Sequence, residues 1–194
     1  METKGYQIIL ASASPRRQAF FKELGIPHKI QVIPVQENYP NELKGAEIAM
    51  HIAKQKSIPF ESLIQPQQLV ITADTIVWHQ GCYLGKPKSK EEAIKMLKAL
   101  SNSTHQVTTA VGFLTDKGFE LLEETSEVTF RKLTKNEINH YVESGSPMDK
   151  AGAYGIQDPF GEQVILSING SFSNIVGLPL AQVIIKIQDI VNKG

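Results

Sequence analysis

The chain has 194 residues, 41% of them hydrophobic, with 20 basic residues balancing 20 acidic ones and a single cysteine. This suits one globular domain, or two closely packed lobes, with a real core. The balanced charge argues against a nucleic-acid polymer or an anionic membrane as partner, and the cysteine count excludes an intramolecular disulfide.

Residues 6–11 read as a buried strand and residues 15–24 as a helix, with Gly25 placed to end it. Residues 28–35 alternate weakly and predict a second strand, followed by a polar loop at Gln36, Glu37 and Asn38. Helical spacing of Ile48, Ala49, Ile52 and Ala53 predicts a helix over 45–57, with Lys56 near its end. Residues 68–73 form another buried strand that runs into Asp74-Thr75, and residues 76–84 predict a hairpin turning near Gln80-Gly81. Ser89 with Glu92, and Thr134 with Glu137, have capping-box spacing. They predict a helix over 90–100 and another ending near Ser144-Gly145. Two long strands, 104–115 and 119–131, lie between them. The segment 149–157 reads as a close-packing loop, residues 163–169 as a strand, and Pro179 opens a last helix to about residue 191. Strands and helices mix without strict alternation, so the expected class is α/β with a mixed twisted sheet flanked by helices, in one domain spanning 1–194. The polar first residues resemble neither a signal peptide nor a membrane span, which predicts a cytoplasmic protein.

The stretch Ile8-Ile9-Leu10-Ala11-Ser12-Ala13-Ser14-Pro15-Arg16-Arg17 carries the first chemical signal. A strand ends in small hydroxyl residues, and a proline then opens a helix bearing two arginines. Helix N-termini attract anions, and guanidinium forks fit phosphate oxygens. The residues read either as an oxyanion site or as a plain surface helix capped by Ser14. Asp74 stands at the end of a buried strand, where α/β sheets usually place ligands. It reads either as a ligand for a divalent cation or as a hydrogen-bonded turn aspartate. Glu37 follows a strand in the same way and reads as a solvated loop acid or as a second carboxylate for that cation. Lys56, and Lys86 between Gly85 and Pro87, are ordinary surface lysines or further phosphate ligands. The five histidines lack zinc-ligand spacing, and there is no nucleophile elbow, Walker loop or Gly-x-Gly-x-x-Gly. Met148, Tyr154 and Phe160 could stack on a base, but core packing is the simpler expectation.

Taken in order, Leu10 to Arg17, Ala53-Lys54-Gln55-Lys56, Ala73-Asp74-Thr75, Gly85-Lys86-Pro87, Asp149 to Gln157 and Asn174 to Pro179 closely resemble the Maf family of nucleotide pyrophosphatases. The resemblance covers essentially the whole chain. It implies a two-lobed α/β fold around a deep cleft, similar to inosine triphosphate pyrophosphatases. It implies cleavage of a nucleoside triphosphate between the α and β phosphates, a divalent cation (Mg²⁺ or Mn²⁺), a small-molecule nucleotide substrate and a homodimer. Arg16, Thr75 and Gln157 match the branch acting on dTTP and UTP, and so carry specificity. Asp74 matches the family's general base. Glu37, Lys56, Arg17 and Lys86 match its metal and phosphate-binding positions. The expected site therefore has Asp74 and Glu37 as catalytic residues and metal ligands, and Ser14, Arg17, Lys56 and Lys86 on the phosphates. The sister branch acting on 7-methyl-GTP, an inosine-type pyrophosphatase, and a nucleotide-binding regulator of septum formation are the alternatives it leaves. One departure stands out. The family usually has glycine after Ile-Gln, whereas Asp158-Pro159-Phe160 follows here, which implies a different wall to the base pocket.

Overall fold

A computed structural model describes residues 2–193. Among these, seven strands form one mixed sheet: β1 (Gln7–Leu10), β2 (His28–Ile30), β3 (Gln68–His79), β4 (Cys82–Leu84), β5 (Thr104–Thr115), β6 (Gly118–Phe130) and β7 (Ile165–Asn169). Their order is β2-β1-β3-β5-β6-β7, with β4 paired to β3. β1 runs parallel to both β2 and β3, whereas the β3–β4 and β6–β7 pairs are antiparallel. The helices are α1 (Pro15–Glu23), α2 (Ala46–Glu61), α3 (Lys90–Leu100), α4 (Lys135–Glu143), α5 (Pro159–Val164), α6 (Phe172–Val176) and α7 (Leu180–Lys193). The mixed α/β class is as expected. No helix among the described residues is long and apolar enough to cross a membrane.

The chain divides into two compact units. The first comprises Met1–Asp74, Thr109–Glu124 and Gly177–Gly194, and the second Thr75–Thr108 and Thr125–Val176.

In the first unit, alternation along β1 sends its side chains to opposite faces of the sheet. Ile8 and Leu10 join Phe21, Ile71, Phe113, Val183 and Ile187 in one core cluster, and Ile9 and Ala11 join Phe60, Val70 and Leu114 in another. Burial on both faces is why these parallel strands read as unbroken apolar runs. α2 lies close on β3 because Ala49 and Ala53 are fully buried and small. The Thr72 hydroxyl, also fully buried, donates to the Ala53 carbonyl at 2.8 Å.

In the second unit, α4 begins with the predicted capping box. The Thr134 hydroxyl accepts from the Glu137 N–H at 3.3 Å, and the Glu137 carboxylate accepts from the Thr134 N–H at 2.8 Å. Arg131 holds the other Glu137 oxygen at 2.7 Å. Fully buried Asn174 donates to the Val107 carbonyl at 3.0 Å and to the Ser126 hydroxyl at 2.8 Å. His105 donates to or accepts from Tyr154 at 2.8 Å, and both rings meet Phe130 edge-on. Phe160 stacks on Tyr141, so Tyr154 and Phe160 pack as expected.

Three expectations need correction, and two short helices are not among the predicted elements. β2 covers only His28–Ile30, because the residues after it lack a strand partner beyond β1. α2 does not stop before Pro59 but runs to Glu61. One lost backbone bond is offset by burial of Phe60 against Ile9, Val70 and Leu114. β3 does not end at Ala73: it continues through Asp74 to His79, because β4 pairs with its second half. α5 and α6 were not predicted, since five or six residues hold too few turns to show a period.

Candidate active site

β1 last pairs with β3 at Leu10 and Ile71, and the Ala11 N–H closes on the Ile71 carbonyl at 2.8 Å. Asp74 therefore lies three residues past the point where β1 leaves it, although β3 itself goes on. On leaving, the chain turns through Ser12 to Ser14 into α1. Ser14 is the N-cap, with its hydroxyl 3.5 Å from the Arg17 N–H, and Pro15 occupies the first turn. The Ser12 hydroxyl accepts from the Ser14 N–H at 3.3 Å, and Gln18 donates to the Ser12 carbonyl at 3.0 Å.

Arg17 is buried. Its Nε donates to the Gly177 carbonyl at 2.9 Å, and its Nη1 to the Ala73 carbonyl at 3.0 Å and the Ser12 hydroxyl at 3.4 Å. Burial lowers its pKa from the ordinary arginine value, and the charge of Asp74 opposes that shift. The guanidinium thus fixes the backbone immediately before Asp74. Arg16, the next residue back, is half-buried.

Two carboxylates converge on one cation. The Lys56 ammonium lies 2.8 Å from Asp74 Oδ1 and 3.0 Å from Glu37 Oε1. It also donates to the Ala73 carbonyl at 3.4 Å. The Thr72–Ala53 bond explains the meeting, because it anchors α2 to β3 one turn before Lys56 and two residues before Asp74. Asp74 is buried and Glu37 exposed. Burial pushes the Asp74 carboxyl above the usual aspartate range, against the pull of Lys56 and Arg17, while Glu37 adds to the rise. A buried carboxylate and an exposed one, already drawn around a positive charge, are a donor set that fits a hard divalent cation. No group of three or more His, Cys, Asp or Glu side chains gathers among the described residues. The protein would supply such a cation with this pair.

Ser14, Arg16, Arg17, Glu37, Lys56 and Asp74 belong to the first unit, and Thr75, Lys86 and Gln157 to the second. Thr75 is half-buried, while Lys86 and Gln157 are exposed. Within the second unit, the Gly152 N–H donates to the Gly85 carbonyl at 3.1 Å, which ties the Gly85-Lys86-Pro87 turn to the segment carrying Gln157. Gly152 has a positive φ of 70°, and a Cβ there would lie 2.9 Å from a Val77 methyl, so only glycine fits. A polar cluster of Tyr141, Ser146, Lys150 and Asp158 beside Gln157 is absent from the sequence reading. Its one signal was the Asp158-Pro159 departure.

A family model described as Maf-like protein matches residues 7–190. A dTTP/UTP pyrophosphatase of Flavobacterium johnsoniae is 48% identical over 180 residues, 93% of either chain. Another of Bacteroides thetaiotaomicron is 47% identical over 176 residues, covering 90% of this chain and 91% of the relative. Among solved structures, the Staphylococcus aureus Ham1 protein matches with a TM-score of 0.46 at 18% identity, over 64% of this chain and 71% of that one.

Proposed function

Because the chain belongs to the Maf family, we propose that it hydrolyses dTTP and UTP to the nucleoside monophosphate and pyrophosphate. Supporting the reading are the two relatives of that printed name and the convergence of Glu37 and Asp74 on Lys56 beside the N-terminus of α1. That convergence is the observation that carries it.

Phosphates meet the N-terminus of α1 at Ser14, where free N–H groups favour anions. Arg17, Lys56 and Lys86 bind the phosphates and offset the charge that develops on them. Arg17 contributes from a fixed position, because its fork is held by two carbonyls. Asp74 accepts the proton of the attacking water, and its raised pKa suits a proton acceptor. Water oxygen bonds to the α-phosphorus, the bridging Pα–O bond breaks, and pyrophosphate leaves with that electron pair. Glu37 and Asp74 would hold a divalent cation, Mg²⁺ or Mn²⁺, which when bound supplies charge neutralisation to the phosphates. Arg16, Thr75 and Gln157 set base preference. One amide offers both a donor and an acceptor, which matches the edge of uracil or thymine. The resemblance further supports a homodimer in the cytoplasm.

The test is pyrophosphate release with Mg²⁺ or Mn²⁺ from dTTP, UTP, CTP, 7-methyl-GTP and ITP. Preference for dTTP and UTP is expected. Preference for 7-methyl-GTP or ITP would overturn the base assignment, and no release from any of them would overturn the enzyme reading in favour of a nucleotide-binding regulator.

A further inference from the structure

Gln157 sits on a turn that is fastened at both ends to one phenol. The Asp158 N–H donates to the Gly155 carbonyl at 3.1 Å, which closes a turn with Ile156 and Gln157 at its two central positions. Ile156 is buried and Gln157 exposed. The Tyr141 hydroxyl accepts from the Gly155 N–H at 3.2 Å and donates to Asp158 Oδ2 at 2.5 Å. The residues flanking the central pair thus share one oxygen.

That oxygen is itself held in place. Asp158 Oδ2 also accepts from the Ser146 hydroxyl at 2.9 Å and lies 3.6 Å from the Lys150 ammonium. Lys150 in turn donates to the Ser146 carbonyl. The Tyr141 ring is stacked on Phe160 at 4.0 Å, with the planes 2° apart. Space is as tight as the bonding: a Cβ on Gly155 would lie 2.7 Å from the Asp158 carboxyl, and one on Gly161 would lie 2.2 Å from the Gly155 carbonyl oxygen. Asp158 also stands at the N-cap of α5 yet makes no side-chain cap bond. An N-cap aspartate ordinarily stabilises its helix by accepting from the N–H groups of the first turn. Here the carboxylate is directed to Tyr141 and Ser146 instead.

We propose that Asp158 is a positioning residue for pyrimidine recognition: through Tyr141 it fixes the turn that presents Gln157, and so sets the discrimination of thymine and uracil from cytosine. The proposal rests on the role given to Gln157 above. Thymine and uracil present an N3–H donor beside a carbonyl acceptor, whereas cytosine presents a bare N3 beside an amino donor. An amide rotated by 180° offers the reversed pattern and accepts cytosine. A turn that shifts weakens the intended pairing and lets either amide orientation meet the base, so discrimination requires the backbone that carries the amide to be held within about 0.5 Å and 10–20°. A mismatched pair sets donor against donor and acceptor against acceptor, which is the physical source of such selectivity.

The test measures kcat and KM for dTTP and CTP in the wild type, Asp158→Ala, Asp158→Asn, Tyr141→Phe and Gln157→Ala. In Asp158→Ala and Tyr141→Phe the ratio of kcat/KM for dTTP over CTP falls about tenfold, through KM for dTTP, with kcat nearly unchanged. Asp158→Asn keeps an oxygen for the phenol and retains most of the ratio. Tyr141→Phe keeps the stacked ring, so it carries the test if Asp158→Ala does not fold. A wild-type preference that survives both Asp158→Ala and Tyr141→Phe, with only thermal stability lowered, overturns the proposal. A wild type without preference, or an unchanged ratio in Gln157→Ala, overturns instead the reading on which it rests.

Discussion

Lys56 and Asp74 stand 2.8 Å apart on adjacent elements, α2 and β3, with the Glu37 carboxylate 3.0 Å from the same ammonium. Removing one partner of a buried pair leaves the other charge uncompensated. Lys56→Met should therefore lower stability by about 1–3 kcal/mol, a Tm drop of about 3–10 °C for a chain of this size. Adding Asp74→Asn should return most of that loss. A melting series on the two single variants and the double variant measures the coupling, and a double variant that equals the sum of the two single effects would show that the pair contributes nothing.

Asp74→Asn alone should remove turnover by about 10²–10⁴-fold. Its Tm should match the wild type or exceed it, since the ionised carboxyl is disfavoured by burial. Pyrophosphate release and a melting curve on the same preparation check both halves. Turnover near the wild-type rate would remove Asp74 from the chemistry.

Arg17→Lys tests the fork. A lysine cannot donate to the Gly177 and Ala73 carbonyls in the same geometry. We expect a loss of about 2 kcal/mol, because buried carbonyls lose charged donors. Activity should fall with it, because the backbone before Asp74 is released. Denaturant midpoints and kcat together read this out; equal midpoints would show that the carbonyl bonds are dispensable.

Thr134→Ala breaks the α4 capping box and should cost about 1 kcal/mol, or a Tm lowered by about 2–4 °C. Activity per folded molecule should not change, which separates this effect from the preceding ones.

His105 supplies a pH dependence of stability. Burial lowers its pKa to about 3, with the neighbouring His79 adding to the effect. The unfolded chain binds a proton near pH 6.5 that the folded protein refuses. The stabilising term is complete above about pH 6.5 and is lost as pH falls toward 3, at up to about 1.4 kcal/mol per pH unit. Melting temperatures between pH 7.5 and 4.5 should show this fall, and His105→Phe should flatten it. An identical slope in the variant would assign the effect to other groups.

The features that sequence revealed were the local ones. The apolar run into Pro15, the Thr134–Glu137 spacing and the Gln80-Gly81 turn each depend on a few consecutive residues, and each appears as expected. Glu37, Lys56 and Asp74 could be named singly, but their convergence depends on contacts 18 and 19 residues apart and on the burial of Ala53. Arginines at a helix start suggest a phosphate ligand, and Arg17 is one such residue. Its carbonyl acceptors lie 56 and 160 positions away and leave no local pattern. The shared phenol of Tyr141 was invisible for the same reason.

The bond from Arg17 to the Gly177 carbonyl also sets an order of events during synthesis. The strand and helix that carry Arg17 leave the ribosome before the acceptor, which is made 160 residues later. Until then the guanidinium lacks one of its carbonyls, and so long a loop closes slowly and late. The turn that follows β1 is thus begun 160 residues before it is finished, so a nascent chain halted short of Gly177 holds Arg17 by fewer bonds.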